Sequence, residues 1–308
     1  MGTGLADDPA RVGTGLAEYA VRRATRDDVG AISETLLQAE RVAWYTDVRS
    51  AEQLVERQDV LLVERGGRLT GICGLAIAPQ SIARIQVFAS RERWRTREVL
   101  HALLETVPST LREEGVETLA FVGPDPWLLA ELAAHGFQRV NAVLTLHKQS
   151  FEVPDHGNRD VIVRPVRPAD LSQLVSIDKA AFVPLWRNTE EAFQEYREQC
   201  SDWSVAELEG TIVGYSCLNL SGRHGHITRI VVHPCYQGQR IGVRLLAEAI
   251  ATLAKDGAFG ITLNTQQDNE RALRLYKWFG FRSLGKEAEV MVLRASVSRW
   301  GIKSGEKA

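Results

Sequence analysis

The stretch His226–Phe281, HITRIVVHPCYQGQRIGVRLLAEAIATLAKDGAFGITLNTQQDNERALRLYKWFGF, decides how this chain is read. It opens with Ile227, Ile230, Val231 and Val232, β-branched residues of strand character, and halts at His233-Pro234, where proline removes a ladder donor. A strand therefore ends near Val232. Gln237, Gly238, Gln239, Arg240, Ile241 and Gly242 then lead into Leu246, Ala249, Ile250 and Leu253, whose spacing puts them on one helical face before Gly257 ends the helix. A loop of this kind favours anions, because the first N–H groups of a helix lack intrahelical partners and sit at the positive end of its dipole. Glycine lets a phosphate approach that backbone, and Gln237 and Arg240 could add side-chain donors. The alternative is an ordinary strand-to-helix turn whose glycines serve backbone shape alone.

The continuation separates the two. A second apolar strand, Ile261 and Leu263, is followed by Asn264, then by Asn269-Glu270-Arg271-Ala272-Leu273-Arg274-Leu275-Tyr276, and then by Phe279-Gly280-Phe281. The arrangement resembles the GNAT superfamily of acyl-CoA-dependent N-acyltransferases, with its (Q/R)xxGx(G/A) pyrophosphate loop and its NxxAxxLYxxxGF signature. The second signature is matched at Asn269, Ala272, Leu275, Tyr276, Gly280 and Phe281; the first at Gln237 and Gly242, with Arg240 where glycine is usual. The resemblance implies contacts to acetyl-CoA from Ile230, Val231 and Val232, from the loop residues Gln237, Gly238, Gln239, Arg240, Ile241, Gly242 and Val243, and from Asn264, Asn269, Ala272 and Tyr276. It implies no metal.

The chain has 308 residues, long for one domain and comfortable for two. With 44% hydrophobic and 25% charged residues it is globular in composition. A net charge of -2 provides no electrostatic footprint for nucleic acid or anionic lipid. Cys73, Cys200, Cys217 and Cys235 are scattered without CxxC spacing, so neither a metal site nor a disulfide is expected, and the compartment expected is the reducing cytoplasm. Residues 1–16 and 296–308 read as tails with no signal peptide, and no segment approaches a membrane span.

A repeat organises the rest. Val21-Arg22-Arg23-Ala24-Thr25-Arg26-Asp27-Asp28 has the grammar of Val163-Arg164-Pro165-Val166-Arg167-Pro168-Ala169-Asp170, a short strand ending in arginine and then an acidic helix start. Gly67 parallels Gly210, and His135-Gly136-Phe137 parallels Phe279-Gly280-Phe281. The expected fold class is α/β (α+β): two tandem GNAT-like domains, 17–152 and 160–295, each a mixed, mostly antiparallel sheet flanked by helices. They join near Pro154–Asn158, a turn-forming cluster. In the first copy, Ala89 to Arg97 contains no glycine, and Pro124 to Leu129 keeps neither the asparagine nor the tyrosine. That copy is expected to be catalytically silent.

In the second copy, direct acyl transfer needs a polarised thioester, a proton acceptor for the amine and a proton donor for the leaving thiolate. Backbone amides near Ile230 and Val232 are the polarising groups that the resemblance implies. The resemblance places Tyr276 by the sulfur as the donor, and a reference pKa near 10 keeps its hydroxyl protonated at neutral pH. The resemblance implies His226 as the base, because relative to Gln237 it stands where other acetyltransferases of the superfamily carry a catalytic glutamate or histidine, while Asn264, where others carry a glutamate, cannot serve. Period-2 alternation puts His226, Thr228, Ile230 and Val232 on one face; the alternative is a merely polar strand start. An acceptor mouth is expected around Phe182, Trp186 and Glu190 or Glu191, where packing is the equal alternative. The function expected is an N-acyltransferase acting on a primary amine, of a small molecule or a peptide N-terminus, without nucleic-acid or membrane partners; nothing in the sequence sets the oligomeric state. The rival is a non-enzymatic acyl-CoA-binding sensor or assembly module.

Overall fold

The computed structural model describes residues 19–46, 48–78, 82–112, 115–188 and 190–294; both expected tails lie outside these. The described chain gathers into two compact units, residues 19–76 with 85–112, and residues 77–84 with 115–294.

The first unit holds β1 (Tyr19–Arg23), α1 (Val29–Gln38), β2 (Arg41–Trp44), α2 (Ala51–Arg57), β3 (Asp59–Arg65), most of β4 (Arg68–Ala78) and β5 (Ile82–Ser90), and α3 (Thr96–Arg112). Its strands lie in the order β1-β3-β4-β5, with β2 also paired to β5. Ile32, Leu54, Leu62, Ile72 and Val87 form its core.

The second unit continues with β6 (Thr118–Gly123), α4 (Pro126–Ala134), β7 (Gln138–Lys148), β8 (Ile162–Pro165), α5 (Leu171–Ala181), α6 (Glu190–Gln199), β9 (Asp202–Leu208), β10 (Thr211–Ser221), β11 (His224–Val232), α7 (Ile241–Lys255), β12 (Gly260–Gln266), α8 (Glu270–Trp278) and β13 (Arg282–Arg294). Its strand order is β6-β13-β7-β12-β11-β10-β9-β8. Only the β11–β12 ladder is parallel among those registered here, so the sheet is mixed and mostly antiparallel, as expected. The four residues read as the inner face of α7, Leu246, Ala249, Ile250 and Leu253, are all buried against Ile227, Ile261, Leu263 and Phe279.

The repeat is visible in three dimensions. In the first unit Arg22 donates to Asp28 at 2.7 Å and to Glu64 at 2.9 Å, while the Thr25 N–H donates to Asp28. In the second, Arg164 reaches Asp170 and Glu207, each at 2.8 Å, while the Arg167 N–H donates to Asp170. One carboxylate thus caps a helix start and fixes the strand before it. The final strands are exchanged between the repeats: β7, from the first, pairs with β12 of the second, and β13, from the second, lies between β6 and β7.

One expectation is overturned. Cys200 and Cys217 form a disulfide, with Cα atoms 6.2 Å apart. Their 17-residue separation hid it, because the pairing of β9 with β10 sets Trp203 opposite Cys217 and so brings the end of α6 alongside. Cys73 is buried and free, Cys235 exposed and free.

A buried ion pair ties α5 to the sheet. The fully buried Asp178 carboxylate accepts from Arg229 at 2.6 Å, from the Tyr215 hydroxyl at 2.5 Å and from the Asn188 N–H at 2.8 Å. Arg229 also donates to the Trp186 carbonyl at 2.6 Å and lies over the Phe182 ring, 3.8 Å from its centroid. Such a pair is costly to break from one side, because the remaining charge stays buried without its partner. Asp178→Ala is expected to lower unfolding free energy by about 3–5 kcal/mol. Adding Arg229→Met should cost far less than its single-variant penalty, a coupling read by denaturant titration of the double-mutant cycle; strict additivity would refute the pairing.

Candidate active site

The centre of the site is a gap between strands. The parallel ladder joins His224–Ile227 to Gly260–Leu263 and stops there, so β11 from Thr228 to Val232 runs on without β12 beside it. A cleft of about 420 Å³ occupies this opening. Every residue expected to contact acetyl-CoA lines it except Gln239 and Asn264. Asn264 is exposed on β12, within 3.1 Å of the Thr145 hydroxyl.

The loop after β11 is built on left-handed backbone. Gly238 has φ +90°, and Arg240 has φ +59° at the N-cap of α7. A side chain in that conformation costs about 1–2 kcal/mol, which is why glycine is the easier residue there. The Arg240 guanidinium is paired with Asp155. The side chain expected to donate to a phosphate thus holds the linker here, while the backbone makes the turn. Asn158 donates to the Gln239 carbonyl at 3.2 Å, and a Cβ at Gly157 would meet the Arg244 backbone nitrogen at 2.3 Å. Pro154–Asn158, read as a joint, is thus a strap drawn tightly over the loop.

Gln237 donates to the Val232 carbonyl at 3.2 Å and accepts from Arg271 at 2.6 Å. Arg271 lines the cleft and was missed in the sequence; its place two residues past Asn269, in the first turn of α8, was the available signal. Asn269 caps α8 by accepting from the Ala272 N–H at 3.2 Å. Tyr276 is buried, and burial pushes its hydroxyl up to about 12, leaving it a firm proton donor at neutral pH.

The expected common face of His226, Thr228, Ile230 and Val232 does not exist. β10 sets Cys217 opposite Arg229 and the next residue, Leu218, opposite Ile227, so Thr228 is an extra residue in β11. A bulge of this kind reverses the alternation beyond it. Ile230 and Val232 pack beside Ile241 and Leu245 of α7. His226 lies on the other face together with Arg229, where its Nδ1 is 2.9 Å from the Thr262 hydroxyl. Burial lowers its pKa, partly offset by the charge of Glu287, and so keeps the ring neutral near pH 7.

On that face a second cleft, of about 450 Å³, is lined by Phe182, Trp186, Gln266 and Asp268 among others. Phe182 and Asn269 line both clefts, so the two meet. Glu190 is exposed at the start of α6 and lies outside both; the side chain of Glu191 lies outside the described residues. Asp268 was not anticipated, being one of several polar residues in the turn before α8.

In the first repeat the corresponding arginines are occupied. Arg91 pairs with Gln38 and Glu34, and Arg95 with Glu92 and Glu98. Among the described residues no group of three or more His, Cys, Asp or Glu side chains is gathered that could hold a metal, and no helix is long and apolar enough to cross a membrane.

Residues 171–281 match the model of the acetyltransferase (GNAT) family. A Bacillus subtilis protein, named as a candidate ribosomal protein bS18-alanine N-acetyltransferase, is 26% identical over 123 residues, 40% of this chain and 82% of its own. The N-alpha-acetyltransferase RimI of Mycobacterium tuberculosis is 39% identical over 84 residues, 26% of this chain and about half (51%) of its own. A tandem GNAT protein from the clavulanic acid biosynthesis pathway superposes with a TM-score of 0.59 at 17% identity, over 91% of this chain and 99% of its own. Residues 171–281 therefore carry the match to the GNAT acetyltransferase family, and along its length the chain has a fold similar to that of a tandem GNAT protein.

Proposed function

We propose that this chain is an acetyl-CoA-dependent N-acyltransferase that acetylates a primary amine by direct attack. The observation that carries the proposal is the strand gap with a protonated tyrosine at its edge: β11 leaves β12 after Ile227, and the buried Tyr276 lines the resulting cleft. In this reading the pyrophosphate of the donor sits on the N–H groups of the Gly238–Gly242 turn, with Arg271 as the cation beside it. Amides of β11 freed by the gap polarise the thioester carbonyl. The amine comes from the face that carries the second cleft, His226 accepts a proton, and Tyr276 protonates the departing thiolate. Cys235 has no part in a direct transfer. The names of the relatives make peptide N-termini the first acceptor class to test and small-molecule amines the second.

The rival, a non-enzymatic acyl-CoA sensor, drew support from Arg240 and Asn264. The loop keeps its left-handed turn with Arg240 in it, so that half of the case is gone. Tyr276→Phe separates the two: an enzyme loses on the order of 10²-fold in kcat with CoA affinity unchanged, as expected for removal of a general acid. Unaltered turnover would overturn the assignment of Tyr276.

Backbone rather than side chain at position 240 makes a second expectation. Arg240→Gly should bind CoA within roughly twofold of the parent, because it relieves left-handed strain while losing an exposed ion pair worth at most about 1 kcal/mol. Gly238→Glu, which puts a carboxylate at the phosphate site, should abolish binding. Calorimetric titration reads both, and undiminished affinity in Gly238→Glu would remove the phosphate loop from the model.

The third concerns pH. His226 acts as a base only when neutral, so kcat/KM should fall as pH drops through its pKa. Burial sets that midpoint below the ordinary histidine value near 6.5. His226→Gln should lack this acid limb, and a limb that persists would assign it to another group.

A further inference from the structure

The acceptor face of the second unit carries a row of polar side chains leading away from the second cleft. Gln266 of β12 lines that cleft, and the next residues on the same side of the strand are Asn264 and Thr262. Thr262 stands between His226 of β11 and His147 of β7, and Asn264 stands opposite Thr145 of β7. The row ends at β13, where the register has an extra residue: Gly285 is paired with Thr145, Lys286 with Leu144 and Ala288 with Val143, leaving Glu287 unpaired. Bulges re-aim side chains and are common beside active sites. Here the bulge delivers a carboxylate. The Thr145 hydroxyl lies between the Glu287 carboxylate and Asn264, and its one proton goes to the carboxylate, the stronger acceptor.

A purely structural account of Glu287 is thin. Its side chain is exposed, and a hydrogen bond at such a position contributes about 1 kcal/mol or less. Lys286, the adjacent cation on β13, is paired with Glu289 instead. Glu287 therefore keeps its negative charge available on the face from which a cationic amine would come, close enough to His226 to be felt there.

We infer that Glu287 is a catalytic residue of the acyl transfer: its carboxylate receives the acceptor's ammonium group on the Thr145–Asn264 row and takes the first of its protons. This rests on the N-acyltransferase reading given above. The balance is as follows. The ammonium gives one proton to Glu287, and the freed lone pair forms the C–N bond at the thioester carbonyl carbon. The nitrogen gives its second proton to His226, the C–S bond breaks, and the thiolate takes the proton of Tyr276. The proton on His226 returns to the tyrosine through solvent, and that on Glu287 is released, one net proton per turnover. The exposure of Glu287 gives this last proton its way out. The acceptor class that follows is an amine that is cationic before it reacts.

The test is thiol release from acetyl-CoA over a panel of amines and N-terminal peptides, with the full chain as wild type, Glu287→Gln and Glu287→Asp, beside melting temperature and calorimetric CoA affinity. Glu287→Gln is expected to lose about 100-fold in kcat/KM for the amine, with KM for acetyl-CoA unchanged. Glu287→Asp should recover part of that loss. Turnover by Glu287→Gln within roughly twofold of wild type would overturn the inference and leave the acetyltransferase reading standing. Equal losses in Gln and Asp with a lowered melting temperature would assign Glu287 to the fold and overturn it as well. Wild-type protein that turns over no amine in the panel would overturn both.

Discussion

One extra residue in a strand sets up the site. Thr228 interrupts the alternation of β11, so that Ile227 and Ile230, three apart, point to the same side, and His226 and Arg229 to the other. Bulges increase local twist, and the twist parallels the departure of β11 from β12 directly after Ile227. Two results come from the same irregularity. Backbone amides that would have been spent in a ladder are left facing a cleft, and His226 and the apolar pair Ile230 and Val232 are sorted onto opposite faces. A regular strand would have left neither.

An opening in a sheet must be held open, and the supports are polar. On one side Asp178 and Arg229 lock α5 and the Phe182–Asn188 segment to β10 and β11, through contacts to Tyr215, Trp186 and Asn188. Burial pushes the Tyr215 hydroxyl well above its usual pKa, so it remains a donor to that carboxylate. On the other side the 154–158 strap grips the turn between β11 and α7 through Asp155 and Asn158. Well-satisfied networks of this kind fix one arrangement of the groups around them. The strap also accounts for arginine in a left-handed position: the side chain that makes the turn strained is the one that anchors it.

The exchange of β7 and β13 joins the repeats beside the candidate site. Thr145 belongs to the first repeat and Asn264 and Glu287 to the second, yet the pairing of β7 with β12 and β13 sets all three in one row. A first copy without glycine in its loop, with Arg95 tied to its own glutamates, can thus still furnish part of the face that carries the second cleft.

Much of this was legible in the residues alone, because the signals were local. The α7 face, the glycine loop, the capped α8 with Tyr276 two turns on, and the repeated strand-arginine and helix-aspartate grammar all lie within about a dozen residues of one another, where periodicity and capping act. What could not be read depended on partners distant in sequence. A bulge exists only relative to the strand opposite, so the face of His226 was assigned wrongly. The Cys200–Cys217 bond depends on a helix end returning beside β10. Asp155, 85 residues away from Arg240, carries no mark in the sequence that it will meet the guanidinium. Glu287 is one more charged residue in a polar run until β13 is laid against β7. The elements, the repeat and the glycine turn after β11 were determined by the residues alone, since these follow from short-range geometry. Tertiary structure alone decided register, and register decides which side chains share a face.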